Sequence, residues 1–144
     1  MANMHLTLSF LGEVTDRTLE QLLAYPFARL DPFELTFGEL GYFSKPQVLF
    51  VQPHTTPAAL TALHGACERA KNALRAGKKS PPFTPHVTLA RAAIAPIPAA
   101  TQTLSLASHH REFCLMQSHH GREGVYYRTL QTWPLQRALR PSPI

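Results

Sequence analysis

The sequence predicts an α+β fold with mostly antiparallel sheet. Stretches with a period of two outnumber helical ones. The two clear helical stretches each fall between strands, and each half of the chain contains a strand headed by His-x-Thr. With 144 residues, 44% of them hydrophobic, the chain suits a single domain, 1–144, with a real core.

The first strand is His5–Leu11, HLTLSFL, in which Leu6, Leu8 and Phe10 alternate with His5, Thr7 and Ser9. Gly12 ends it. Thr15 or Asp16 can cap a helix carrying Leu19, Leu22, Leu23 and Phe27, which Pro26 should stop or kink. Phe33–Phe43 is a second extended run, Ser44–Gln47 a turn and Val48–Val51 a short strand. Thr56 can cap a helix from about Pro57 to Ala76, with Leu60, Leu63, Cys67, Ala70 and Leu74 on one stripe and Gly77 as its stop. Lys78–Pro85, basic and Pro-rich, leads to the strand His86–Arg91. Ala92–His110, rich in Ala, Pro and Ser, is the longest expected loop. Strands near Glu112–Gln117 and Val125–Thr132 then make a hairpin whose polar tip runs from His119 to Gly124. Pro134 and Pro141-Ser142-Pro143 close the chain.

Lys and Arg outnumber Asp and Glu by 14 to 9. The net charge of +5 favours polyanionic partners, nucleic acid first, although a basic solvated surface accounts for it equally well. No stretch approaches the roughly 20 apolar residues of a membrane span. No basic segment followed by an apolar run marks a signal peptide. A cytoplasmic protein without a membrane partner is therefore expected. Cys67 and Cys114 have neither metal nor redox spacing and read as reduced core thiols.

The chemistry lies in His5-Leu6-Thr7-Leu8 and His86-Val87-Thr88-Leu89. On a strand, residues i and i+2 share a face, so each motif presents an imidazole beside a hydroxyl while its apolar residues anchor the core. Two such strands facing one cleft suit phosphoryl transfer. One neutral histidine takes a proton from the attacking water, and the other, protonated, gives one to the departing oxygen. The threonine hydroxyls can donate to the non-bridging oxygens. A single match of this kind is more often a partly buried strand histidine. Two matches arise by chance on the order of one time in a hundred.

These residues resemble the 2H phosphoesterase superfamily and, within it, the bacterial RNA 2',3'-cyclic phosphodiesterases, also called 2'-5' RNA ligases (LigT-like). The resemblance rests on Asn3 to Val14 with its Phe-Leu-Gly exit, on Phe83 to Arg91, and on Ser118 to Gly124 followed by Tyr127, Leu130, Trp133, Pro134 and Leu135. It implies a bilobed fold, with two pseudo-symmetric, mostly antiparallel sheets lining a central cleft and helices outside. It implies hydrolysis of a 2',3'-cyclic phosphate to a 2'-phosphomonoester, with reversible 2'-5' joining of RNA ends. By position, His5 corresponds to the acid that protonates the 3' oxygen and His86 to the base that activates water, roles that the reverse reaction swaps. Thr7 and Thr88 correspond to phosphate-binding hydroxyls, and Arg91 to a position near the nucleotide. One departure stands out: family members usually carry a strand and a helix before the first motif. A chain lacking that strand should leave a sheet edge unpaired.

Other residues carry weaker signals. His119-His120 and His109-His110 could suggest metal, but adjacent strand histidines point to opposite faces and no carboxylate or cysteine sits at ligand spacing, so no metal and no cofactor is expected. His120 and Arg122, on a polar tip near the cleft mouth, are expected to touch RNA. Phe43 could stack on a base or belong to the core, and Tyr127 could line the cleft or merely pack. Arg75, Lys78 and Lys79 could form a basic rim, or simply a solvated helix end. His54 and His64 read as surface or helix-face residues without a role. The expected partner is RNA or a nucleotide with a 2',3'-cyclic phosphate, and the expected state a monomer. The rival readings are a non-catalytic RNA-binding module with the same cleft, and a two-histidine enzyme acting on 2'-5' oligoadenylate or cyclic nucleotides.

Overall fold

A computed structural model describes residues 4–94, 105–137 and 139. The element order is α1 (Asp16–Leu23), β1 (Phe33–Phe43), β2 (Val48–Pro53), α2 (Ala58–Ala73), β3 (Val87–Arg91), β4 (Leu106–His110), β5 (Glu112–Gly121) and β6 (Gly124–Pro134). One antiparallel sheet has the order β3-β2-β1-β4, and β5 and β6 form a second, two-stranded one. The α+β class with antiparallel sheets is as the sequence predicts. The two sheets are unequal in size, four strands against two.

The core explains how the sheets join. Leu35, Phe37, Val51 and Leu60 form one buried cluster, against which Leu6, Leu8 and Val87 pack. Leu63, Phe113 and Leu135 form another, flanked by Leu8, Phe33 and Trp133. Helix α2 supplies Leu60 to the first and Leu63 to the second, so it ties both sheets together through one apolar stripe. Leu8 and Phe33 belong to both clusters and make the core continuous.

Several elements differ from expectation, each for a local reason. His5–Leu11 is not a full strand: it makes one antiparallel bridge, Leu6 to Val87. Beyond it, α2 side chains take over, because His64 Nδ1 donates to the Leu8 carbonyl at 2.8 Å and Ser9 Oγ donates to Glu68 at 2.5 Å. Thr15 does cap α1, accepting from the Thr18 N–H. Thr56 does not cap α2. Pro57 stands at the N-cap position without a side-chain bond. Helix α2 also ends before Gly77. Arg75 turns left-handed at φ 52°, Ala76 N–H bonds the Lys71 carbonyl and Arg75 N–H that of Asn72, a Schellman closure with arginine where glycine is usual.

The expected loop Ala92–His110 contains β4, whose five residues pair with Phe33–Phe37 of β1; residues 95–104 lie outside the described residues, as does the Pro141–Pro143 tail. The hairpin tip is tighter than expected. Strand β5 runs to Gly121 and β6 begins at Gly124, so His119 and His120 are strand residues and only Arg122 and Glu123 turn. Cys67 is half-buried, and burial together with the Glu68 charge pushes its thiol up to about 12. Cys114 is not a core thiol: it lies exposed on β5.

Candidate active site

The site begins at the single bridge between Leu6 and Val87. Both side chains pack into the core. Alternation therefore sends the flanking residues to the opposite face. In an antiparallel pairing, residues flanking a bridge lie opposite one another, so His5 stands across from Thr88 and Thr7 across from His86. The four side chains occupy the corners of one quadrilateral, imidazoles on one diagonal and hydroxyls on the other. Diagonal neighbours of this kind lie about 7–8 Å apart, with Cβ atoms somewhat closer, which leaves room for an anion the size of phosphate between the two rings.

Each imidazole rests on an aromatic support. His5 meets Tyr127 of β6 edge-on, with ring centroids 4.5 Å apart. His86 meets Phe50 at 5.2 Å and Phe43 at 5.4 Å, both T-shaped, and those two phenyl rings stack at 4.3 Å. Gly41 pairs directly with Phe50 across the sheet. Its missing side chain makes room for the ring: a Cβ there would lie 2.3 Å from two ring atoms. His86 Nδ1 is 2.6 Å from the Thr84 carbonyl oxygen. A carbonyl only accepts, so Nδ1 carries a proton and Nε2 is the acceptor nitrogen of the neutral ring.

Arg91 reaches the same face through an irregularity. It stands three positions after Thr88, which in a regular strand would turn it to the other side. Leu49 pairs with Ala90 but Phe50 with Thr88, so Leu89 is an extra residue in β3. This bulge brings Arg91, opposite Val48, back onto the face of Thr88 and Phe50. Arg91 lines an open cavity of about 600 Å³ with Ser44, Lys45, Pro46 and Gln47, beyond Phe43.

The structure thus brings together His5, Thr7, His86, Thr88, Phe43, Tyr127 and Arg91. His120 pairs with Val125 and shares the face of Tyr127, while Arg122 sits on the exposed turn beyond it. The histidine pairs behave as alternation requires. His109 faces Glu34 at 3.2 Å, whereas His110 bonds Ser108 and stacks on Phe33; His119 stacks on Tyr126. No three metal-ligating side chains gather among the described residues.

Three supporting residues escape sequence reading. Phe50 and Gly41 look like ordinary strand residues, and their signal is only their cross-strand register. His64 is far from idle: besides holding the Leu8 carbonyl, it stacks on Phe83 at 3.9 Å, and so links α2 to the segments on which both motifs sit. His54, as expected, is a surface residue, paired with Glu39.

A family model for the 2'-5' RNA ligase superfamily matches residues 2–122. The chain belongs to this superfamily. It is 30% identical over 136 residues to the RNA 2',3'-cyclic phosphodiesterase of Escherichia coli K12, covering 92% of this chain and 76% of that protein. It is 38% identical over 96 residues to the protein of the same name in Bacillus subtilis 168, covering 60% of this chain and 50% of that one. The crystal structure of E. coli LigT complexed with 3'-AMP superposes with a TM-score of 0.84 at 28% identity, over 94% of this chain and 78% of that one. This superfamily member has no helix among its described residues long and apolar enough to cross a membrane.

Proposed function

We propose that the protein is an RNA 2',3'-cyclic phosphodiesterase that works by two-histidine acid–base catalysis without a metal. One observation carries this reading: the Leu6–Val87 bridge sets two imidazoles and two hydroxyls alternately around one small area of a common face. In-line displacement needs a base and an acid on opposite sides of phosphorus, and the imidazole diagonal offers that. The hydroxyl diagonal offers donors to the non-bridging oxygens, where charge accumulates.

In hydrolysis, His86 Nε2 takes a proton from water as the water oxygen bonds to phosphorus. The bond from phosphorus to the 3' oxygen breaks, and His5, protonated, gives that oxygen its proton. The product is a 2'-phosphomonoester with a free 3' hydroxyl. The proton on Nδ1, held by the Thr84 carbonyl, aims Nε2 at the reaction. With a ribose 5' hydroxyl attacking phosphorus in place of water, and the 3' oxygen again leaving with the proton from His5, the same pair would support 2'-5' joining; the reverse, attack by the 3' hydroxyl with the 5' oxygen leaving, would cleave that linkage. Arg91, which lines the open cavity, and Phe43, whose ring meets His86, suit the phosphate or base of the terminal nucleotide.

The test is turnover of a 2',3'-cyclic mononucleotide and of an oligoribonucleotide with a 2',3'-cyclic end, with product analysis and with EDTA present. His5→Ala and His86→Ala are each expected to lower kcat by about 10²–10⁴-fold, the range for losing a general acid or base. EDTA should leave the rate unchanged. Equal rates in both variants and the parent would refute the mechanism, and binding without turnover in the parent would favour a non-catalytic RNA-binding module.

A further inference from the structure

The geometry points to a second RNA-binding site at the turn that ends α2, which holds the nucleotides preceding the one at the histidine pair. It rests on the reading of that pair as a site for RNA ends. A cavity of about 380 Å³ lies at this turn, lined by Glu68, Lys71, Arg75, Lys78, Lys79 and Ser80 among others. Its inner charges balance one another. Lys71 is only 3% exposed, and its Nζ donates to Ser80 Oγ at 2.8 Å. Ser80 Oγ in turn donates to Glu68 at 2.9 Å, as does Ser9. Burial alone would raise the Glu68 carboxyl, but the bonds from Ser9 and Ser80 and the charge of Lys71 outweigh it and hold it below its ordinary range. Glu68 therefore stays ionised and is satisfied within the wall.

The outer charges are not balanced. Arg75, Lys78 and Lys79 are exposed. The carboxylate pairs among the described residues are those of His54 with Glu39 and His109 with Glu34, and none involves these three cations. Helix stabilisation does not account for Lys78 and Lys79, which lie beyond the last turn of α2, where the helix-end field has fallen off. Arg75 also occupies the left-handed position of the Schellman turn, at φ 52°, where glycine would sit without strain. The chain accepts that strain and keeps a guanidinium at the rim.

An exposed aromatic lies on the neighbouring segment. A Cβ on Gly77 would lie 2.4 Å from the Leu11 carbonyl oxygen, so the turn packs directly on the segment that follows the first motif. Phe10, next to Leu11, is 77% exposed. It stands three positions after Thr7, a span of at most about 11 Å. Cations without a carboxylate partner, with an exposed ring on the segment the turn packs against, offer what single-stranded RNA needs: phosphates meet the charges and a base stacks on the phenyl face.

The experiment compares a 2',3'-cyclic mononucleotide with an oligoribonucleotide bearing the same end. The variant is Arg75→Gly with Lys78→Gln and Lys79→Gln, in which the glycine relieves the turn and so preserves folding. Its kcat/KM on the oligoribonucleotide should fall at least tenfold, and on the mononucleotide stay within twofold. The slope of log affinity against log salt should shrink by about 2, at roughly 0.7 per lost phosphate contact. Phe10→Ser should cost the oligoribonucleotide about tenfold by loss of one stack. Equal handling of the oligoribonucleotide by parent and triple variant would overturn the inference. Should the parent turn over neither substrate, the histidine reading falls instead. Binding of an oligoribonucleotide with a 3'-phosphate then decides this one: tenfold weaker binding by the variant upholds it, and equal binding refutes it.

Discussion

Replacing Gly41 with alanine tests whether the aromatic support of His86 matters to the chemistry. The backbone of Gly41 lies outside the left-handed region, so alanine meets no conformational penalty there and the effect is steric. Its methyl would sit 2.3 Å from two Phe50 ring atoms. Carbon atoms pack at about 3.5–4.0 Å, so the ring must retreat by roughly 1 Å or more. Phe50 is 6% exposed and has little room, with Phe43 stacked at 4.3 Å and His86 edge-on at 5.2 Å. Overpacking of this kind costs about 1–3 kcal/mol, which should lower Tm by roughly 3–12 °C in a chain of this size. If the retreat passes to His86, a displacement near 1 Å costs kcat up to about 10²-fold. Thermal melting and turnover of a 2',3'-cyclic mononucleotide measure the two effects. Adding Phe50→Leu should restore much of the Tm, because the two changes share one space, but not the full kcat, because His86 then loses its support. An unchanged Tm would show that the ring has room. A lowered Tm with kcat within threefold of the parent would refute the link between Phe50 and catalysis.

Three further outcomes follow from the packing. His64→Ala should destabilise the protein by about 1–3 kcal/mol in urea melts by leaving the Leu8 carbonyl unpaired, and should lower kcat although His64 touches no substrate; His64→Asn, which keeps a donor, should recover part of both. Iodoacetamide at neutral pH should modify exposed Cys114 and spare Cys67, whose thiol is held up near 12, as peptide mass mapping of the native protein would reveal. Burial, with the His109 charge second, holds His110 below its ordinary 6.5, so it is neutral in the fold. The unfolded chain then takes up the proton first. Stability is full above about pH 6.5 and falls as pH drops below it, until the folded-state value is reached. Urea melts between pH 7.5 and 5.5 should show that slope in the parent and a flatter one in His110→Phe.

The twin motif was legible because its signal is local. A period of two fixes which side chains share a face, and that holds whether or not the strand completes a ladder. The long strand Phe33–Phe43 was legible for the same reason, its apolar residues recurring without a competing helical pattern. What stayed hidden depends on partners distant in the chain. Strand β4 is Leu-Ala-Ser-His-His, with little strand propensity of its own, and β1 recruits it by pairing. Helix α2 stops early because Arg75 adopts a conformation more typical of glycine, so the punctuation at Gly77 misleads by two residues. His64 reads as a helix-face residue until the Leu8 carbonyl and the Phe83 ring are seen beside it.

Arg91 shows most clearly where local reasoning ends. Counted along its own strand, it stands three positions from Thr88 and belongs on the wrong face. Family resemblance assigns it to the nucleotide, which contradicts simple alternation. The bulge at Leu89 reconciles the two, and nothing within HVTLAR announces it, because a bulge is a property of two strands in register. The same irregularity separates two tasks. Before it, His86 and Thr88 hold their spacing to His5 and Thr7 through Val87 and its bridge to Leu6. After it, the strand is free to aim a guanidinium along the sheet, toward the open cavity by Lys45, without disturbing the two imidazoles and two hydroxyls set by the bridge. Under the proposed mechanism, chemistry would depend on the regular part of β3, and recognition of what is attached to the phosphate on the irregular part.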